Sequence, residues 1–162
     1  MTEKEMFLNS WQREFGTTLK ILKQMPAEKS SFRPAVDKAR SAKEIATVFI
    51  QELGVVDGVV KGKIDFGGQM PSFATFGEVL QAYETKQKEM VSKVQAMSDA
   101  DWNLKITAPV GPKQMGEVRR GDMLWMMLHD NIHHRGQFSI YLRLVGAYVP
   151  SIYGPSGDEP WM

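Results

Sequence analysis

Apolar residues recur at helical spacing in four stretches of this chain, and proline- or glycine-rich segments separate them. The first predicted helix runs from about Lys4 to Met25, with Phe7, Leu8, Trp11, Phe15, Leu19 and Leu22 on one face and Pro26 after it. Pro34 lies in the connection. A second helix is predicted from about Ala42 to Lys61, with Ser41 as its N-cap and Glu44 placed to complete a capping box. Gly67-Gly68 and Pro71 then break the chain. The third, from about Phe76 to Met97, carries Phe76, Val79, Leu80, Tyr83, Met90, Val91 and Val94 at helical spacing. From Trp102 to Val118 the period is lost among Pro109, Gly111, Pro112 and Gly116, which reads as a long loop with room for a short hairpin. A fourth helix is predicted from about Asp122 to Val145, with Gly146 as a natural C′ residue.

These elements predict an all-α fold, a four-helix bundle with a long irregular connection between the third and fourth helices, built as one domain over residues 1–162. The tail, Tyr148 to Met162, is expected to pack along the bundle, because Ile152, Tyr153 and Trp161 would otherwise be exposed.

Stepping about 100° per residue around the fourth helix separates its polar side chains. Met123, Met126, Met127, Tyr141, Leu144 and Val145 define an apolar stripe. Asp130 and His134 fall within about 20° of its centre, with Gln137 and Tyr141 beside them, while His133 lies about 80° and His129 about 120° away. All three histidines of the chain lie on this helix, and only His134 faces inward with a carboxylate. The second helix repeats the anomaly. Its stripe of Ile45, Val48, Val55, Val56 and Val59 has Glu52 within about 15° of the centre. An inward carboxylate must be paired, protonated or bound to a cation, since an isolated buried charge costs several kcal/mol. Glu52, Asp130 and His134 would together suit a divalent ion with open positions, nickel, zinc or manganese. The plain alternative has no metal: a buried hydrogen-bonded network, with Glu52 paired to Arg135, Arg143 or a lysine. Arg135 reads as a salt-bridged surface group, and His129 and His133 as boundary residues.

The fourth helix has a second apolar edge, made by Leu124, Trp125, Leu128, Ile132 and Leu142 with the small residues Gly136 and Ser139 between them. A second face needs covering, and close approach at Gly136 predicts a symmetric homodimer through this helix. The alternative cover is the Trp102–Val118 loop and the tail.

Composition narrows the partners. Twenty basic and nineteen acidic residues give a net charge of +1, so neither nucleic acid nor membrane is expected to bind. Absence of cysteine excludes disulfides, thiolate metal sites and cysteine nucleophiles. A charged amino terminus, with no apolar run long enough for a signal or a span, makes the cytoplasm the expected location.

The run His133-His134-Arg135-Gly136-Gln137, then Tyr141-Leu142-Arg143 and Val149 to Ser156, resembles the DinB/YfiT-like family. The resemblance continues upstream in Thr18 to Leu22, Pro26, Arg33-Pro34 and Ser41 to Ala46. It implies an up-down-down-up bundle, commonly dimeric, in which three histidines bind a nickel, zinc or similar ion in an open cleft. Some relatives are thiol transferases or isomerases using glutathione, mycothiol or bacillithiol. Carried onto this chain, the three ligand positions fall at Val48, Asp130 and His134, so one histidine is retained, one position offers oxygen and one offers nothing. Glu52, one turn past Val48, is placed to restore a third ligand. The expected function is metal-dependent transfer or isomerisation of a small thiol or thiol conjugate, with Gln137 and Tyr141 as candidate catalytic residues that orient the substrate. The competing expectation is a non-catalytic dimeric bundle, a small-ligand or stress-response module without metal.

Overall fold

The computed structural model of the chain describes residues 1–65 and 69–162. The break expected at Gly67-Gly68 lies outside the described residues. The chain is mostly helical, with five α-helices among the described residues: α1 (Glu3–Leu22), α2 (Ala42–Lys61), α3 (Phe76–Ala96), a short α4 (Asp99–Asn103) and α5 (Arg120–Leu144). No helix of the described residues is long and apolar enough to cross a membrane.

The caps fall where their chemistry demands. Ser41 accepts from the Glu44 N–H, and the Glu44 carboxylate accepts from the Ser41 N–H, closing the box that starts α2. Gly146, at φ +69°, takes the left-handed conformation that ends α5 at little cost for a glycine. The first helix stops at Leu22, three residues short of the expected Met25, and the turn that follows leads into Pro26.

The connection expected to be irregular is mostly regular. After α4 it forms an antiparallel hairpin of β1 (Lys105–Gly111) and β2 (Gln114–Arg119), in register from Lys105 opposite Arg119, with an irregularity between Pro109 and Gly111. Alternation explains it: Ile106 and Ala108 are buried, and Lys105 and Thr107 between them are exposed. Pro109 is tolerated where the ladder is already interrupted. The chain enters α5 under Trp102, where a Cβ on Gly121 would come within 2.4 Å of the indole nitrogen.

α1 and α2 each pack against both α3 and α5, so the four long helices enclose one core. The buried line steps by three and four residues along each helix: Phe7, Trp11, Glu14, Thr18 and Ile21 on α1; Ile45, Phe49, Glu52, Val56 and Val59 on α2; Phe76, Val79, Tyr83, Gln87, Met90 and Val94 on α3. On α5 the line is Leu124, Leu128, Asn131, Arg135, Phe138 and Leu142. Alternating steps of this kind give the average spacing of about 3.5 residues that two long helices need to stay in contact.

That line corrects the expected face of α5. Met126 and Leu144, assigned to the inward stripe, are exposed, whereas Leu124, Leu128 and Leu142, assigned to a dimer-facing edge, are buried in the chain's own core. Trp125 and Ile132 pack partly against that core. The edge therefore needs no second copy to cover it. The tail is anchored by polar contacts more than by apolar burial: Ile152 packs on the core, but Tyr153 and Trp161 are 64% and 61% exposed. Asp158 accepts from the Val149 N–H and from Arg143, and Glu159 accepts from the Ser151 N–H and from Lys20.

Candidate metal centre

Each long helix contributes polar groups to the middle of its buried line, and they meet in one layer. Glu52 on α2 is 6% exposed. Asn131 on α5 donates from Nδ2 to Glu52 Oε2 at 3.3 Å, and Thr18 on α1 donates from Oγ1 to Asn131 Oδ1 at 3.0 Å. Tyr83 on α3 joins the layer beside Asn131 and Thr18; burial holds its phenol above the ordinary range against the hydrogen bonds of those two side chains. Next along α5, Arg135 forms an ion pair with Glu14 at 2.8 Å, both fully enclosed, and Tyr153 from the tail donates its hydroxyl to Glu14 Oε2 at 2.7 Å.

Arg135 is thus not the surface group its sequence context suggested, and it is not the partner of Glu52. Glu14 and Thr18 were missed because the apolar face of α1 was drawn through Leu8, Phe15 and Leu19, which flank the core. The signal was present in the three-four stepping from Phe7 through Trp11, which lands on Glu14 and Thr18.

His134 faces Glu52 as expected. Its Nε2 is 3.6 Å from Glu52 Oε1 and 3.7 Å from Asp130 Oδ1. One ligand atom from each of the three residues lies within 4.8 Å of the other two. The side chains form a gradient from core to solvent: Glu52 is 8% exposed, His134 14% and Asp130 44%. Asp130 is therefore at the mouth of the site, not buried beside His134, because it precedes Asn131 on the helix and so lies on the flank of the buried line. His129 and His133 are exposed; His129 stacks on Trp125.

The outer histidine contacts prepare His134. Gln137 Oε1 lies 3.1 Å from His134 Nδ1, and its Nε2 lies 2.8 Å from His133 Nε2. A carbonyl oxygen only accepts, so it places a proton on Nδ1 and leaves Nε2 directed at the two carboxylates. There the Nε2 lone pair is placed to be offered to a cation. Gln137 accordingly holds the imidazole, and Tyr141, whose hydroxyl donates to the Arg40 carbonyl at 2.8 Å, holds the loop before α2.

The residues present fit a divalent ion. Glu52 Oε1 is buried and has no hydrogen-bond partner among the described residues. Burial and then the Asp130 charge push the Glu52 carboxyl up to about 9, with only the Asn131 amide opposing them. An ionised carboxylate in this position is stable only with a positive charge beside it. Two carboxylates and one imidazole supply the oxygen and nitrogen donors that manganese, nickel or zinc accept. Val48, 6% exposed, contributes nothing but bulk. Beside Glu52 a void of about 10 Å³, lined by Trp11, Leu53, Leu128 and Asn131 among others, has space for at most one water. A larger cleft of about 410 Å³ lies along the α2–α5 groove, bordered by Lys38, Arg40, Ile45, Gln137, Ile140 and Tyr141.

Several solved structures share this fold. A DinB-like protein from Bacillus cereus superposes with a TM-score of 0.75 at 22% identity, covering 92% of this chain and 97% of its own. A second, YjoA from Bacillus subtilis, gives 0.72 at 13% identity over 91% of this chain and 97% of its own. The colibactin self-resistance protein ClbS in complex with double-stranded DNA gives 0.62 at 15% identity, over 87% of this chain and 95% of its own. That complex does not agree with the expectation that nucleic acid is excluded. Net charge averages over the whole surface and does not bar a protein of this shape from a duplex, so the exclusion is withdrawn. Among curated proteins, the uncharacterised YrdA of Bacillus subtilis is 37% identical over 43 residues, a stretch spanning 26% of each chain. The family description that matches this sequence is the DinB superfamily, over residues 10–138, a span that runs from α1 through Arg135 to Phe138 and includes Glu52, Asp130 and His134: the chain belongs to the DinB superfamily.

Proposed function

We propose that this protein is a metal-dependent transferase or isomerase of small thiols or thiol conjugates, with Glu52, Asp130 and His134 holding one divalent ion. The observation that carries the reading is the bare Oε1 of a buried glutamate, aimed at an imidazole nitrogen and a half-exposed carboxylate. When bound, nickel, zinc or manganese supplies Lewis acidity that lowers the pKa of a neighbouring thiol. The chain's own side chains do the rest. Gln137 fixes the imidazole, and the Asp130 oxygen turned to solvent takes the thiol proton and passes it to water. Lys38 and Arg40 at the cleft rim attract the carboxylates of a thiol cofactor, while Ile45, Ile140 and Tyr141 seat its apolar part.

The rest of the reading is a single domain over residues 1–162 with its four long helices running up-down-down-up, working in the cytoplasm as a homodimer. With the former edge of α5 now in the core, the dimer uses the outward face, where Met126, Ile140 and Leu144 are exposed and Gly136 has open space around it.

A second reading has its own support. In the absence of a cation a proton on Glu52, shared with Asp130, relieves the same repulsion, as the elevated Glu52 carboxyl requires. The protein is then a non-catalytic ligand-binding or stress-response bundle. Metal analysis of protein prepared without chelator or nickel resin decides between them. The expected result is close to one ion per chain, abolished by His134→Ala; a metal-free wild type that also fails to take up zinc, nickel or manganese at micromolar concentration refutes the enzyme.

A further inference from the structure

We infer that Thr18 and Asn131 are positioning residues: a one-way chain of hydrogen-bond donors starts at Arg135, ends on Glu52 Oε2, and so reserves Glu52 Oε1 for a cation. The role given to Oε1 rests on the metal reading above; the donor chain does not.

The direction follows from which groups can donate. A guanidinium has N–H donors and no acceptor, and it keeps its charge at any ordinary pH. Arg135, 1% exposed, directs NH1 at the Glu14 carboxylate, at the Glu14 carbonyl and, at 3.4 Å, at Thr18 Oγ1, while NH2 donates to the Tyr153 hydroxyl at 2.6 Å. Thr18 therefore accepts from Arg135 and has one proton left to give. It gives it to Asn131 Oδ1 at 3.0 Å. With that oxygen occupied, the end of the amide that faces Glu52 is the NH2 group, 3.3 Å from Oε2. Donor sense is thus transmitted across three side chains from α1 and α5 to α2. Against an ionised Glu52 the reversed amide would set two oxygens against each other, with the Tyr83 phenol lying beside both Asn131 and Thr18 in the same layer.

The consequence at Glu52 is geometric. Oε2 is held as an acceptor, which restrains the carboxyl group, and among the described residues Oε1 is left without a donor on the side where His134 and Asp130 lie. Tyr153 closes the other end of the chain by donating to Glu14 while accepting from Arg135. Partners that orient a ligating carboxylate or imidazole typically change metal affinity by about 10- to 100-fold when removed.

Cobalt(II) added to chelator-treated protein, followed by its d–d absorption, tests this. Thr18→Val preserves the shape of the side chain and deletes the hydroxyl; Thr18→Ser preserves the hydroxyl. We expect Val to weaken cobalt binding at least tenfold with a changed spectrum, and Ser to bind within about threefold of wild type with the wild-type spectrum. Equal affinity and spectrum in wild type and Thr18→Val would overturn the donor chain while leaving the metal site intact. If wild type binds no cobalt, the metal reading fails separately, and the donor chain is judged by a double-mutant cycle in metal-free protein. Thr18 and Glu52 are linked through Asn131, so Thr18→Val and Glu52→Leu should be non-additive by at least about threefold in the unfolding constant. Strict additivity would overturn the proposal whether or not a metal binds.

Discussion

Replacing Arg135 with methionine probes the buried layer at its most heavily bonded point. The guanidinium and the Glu14 carboxylate are 1% and 3% exposed, so neither ion has solvent to fall back on. In the intact protein burial pushes the Glu14 carboxyl up, but the Tyr153 hydroxyl and the Arg135 guanidinium outweigh it and hold the group below its ordinary value. Methionine fills similar space and supplies no donor. Glu14 would keep only the Tyr153 hydroxyl at 2.7 Å and the outlying Arg13, whose side chain is 72% exposed. Removing one member of a buried ion pair costs about 3–5 kcal/mol, against a total stability of about 5–15 kcal/mol for a domain. Urea denaturation followed by far-ultraviolet circular dichroism should show that loss at pH 7. The pH dependence has a definite sign. In wild type the lowered Glu14 carboxyl contributes stability that is present above the ordinary carboxylate value and lost as pH falls through the folded one. In the variant the stranded carboxyl is raised and takes up its proton sooner, so the gap between the two proteins narrows from pH 7 to pH 5. The pair Arg135→Met with Glu14→Leu should recover most of the loss, because apolar replacement of a whole ion pair is often neutral. A deficit below about 1 kcal/mol at neutral pH, a gap that does not narrow, or a double variant as unstable as the sum of the singles would refute this account.

Two further outcomes follow. In chelator-treated protein the Glu52 carboxyl stands at about 9 against an ordinary 4.5, so its contribution is fully present below 4.5 and is lost as pH rises toward 9. Stability should therefore fall by up to about 1.4 kcal/mol per pH unit in that window, Glu52→Gln should flatten the slope, and a slope unchanged in the variant would show that Glu52 is not the group responsible. If α5 forms a dimer through its outward face, Gly136→Leu should lower the mass seen by light scattering at matched concentration, and an unchanged mass moves the interface off this helix.

What the sequence revealed of the fold was mainly its boundaries. Ser41 with Glu44, Pro26 and Gly146 mark ends through local backbone chemistry that tertiary contacts do not alter. The facing of α5 was harder to see, because apolar residues occupy both its sides and Met123, Met126 and Met127 drew the stripe toward themselves. A helix packed along its length follows a spacing nearer 3.5 than 3.6 residues per turn, and the drift of about 20° per heptad accumulates over its 25 residues. The hairpin was legible only as a short element within a loop, because its prolines and glycines masked the extent of the strands, although Lys105, Ile106, Thr107 and Ala108 alternate plainly.

Glu52 and His134 were legible for a different reason from Glu14, Thr18, Asn131 and Arg135. A lone carboxylate amid valines announces itself, whereas a polar residue on a helix already rich in polar residues is recognised as internal only once the packing line is known. The same distinction bears on function. Around Arg135 every charge is answered within the layer, as stability alone would require. Glu52 is answered on one oxygen only. Gln87 is also buried with neither amide atom bonded among the described residues, but an unpartnered neutral amide costs about 1–3 kcal/mol and can be carried as a defect. An unpartnered carboxylate costs far more and must recruit a proton or a cation. The bare Oε1 of Glu52 lies toward half-exposed Asp130, on the side from which either can arrive. The ion-paired end of the layer is answered from within, whereas the Glu52 end is left for something that arrives past half-exposed Asp130, which is the arrangement of a binding site supported by a rigid interior.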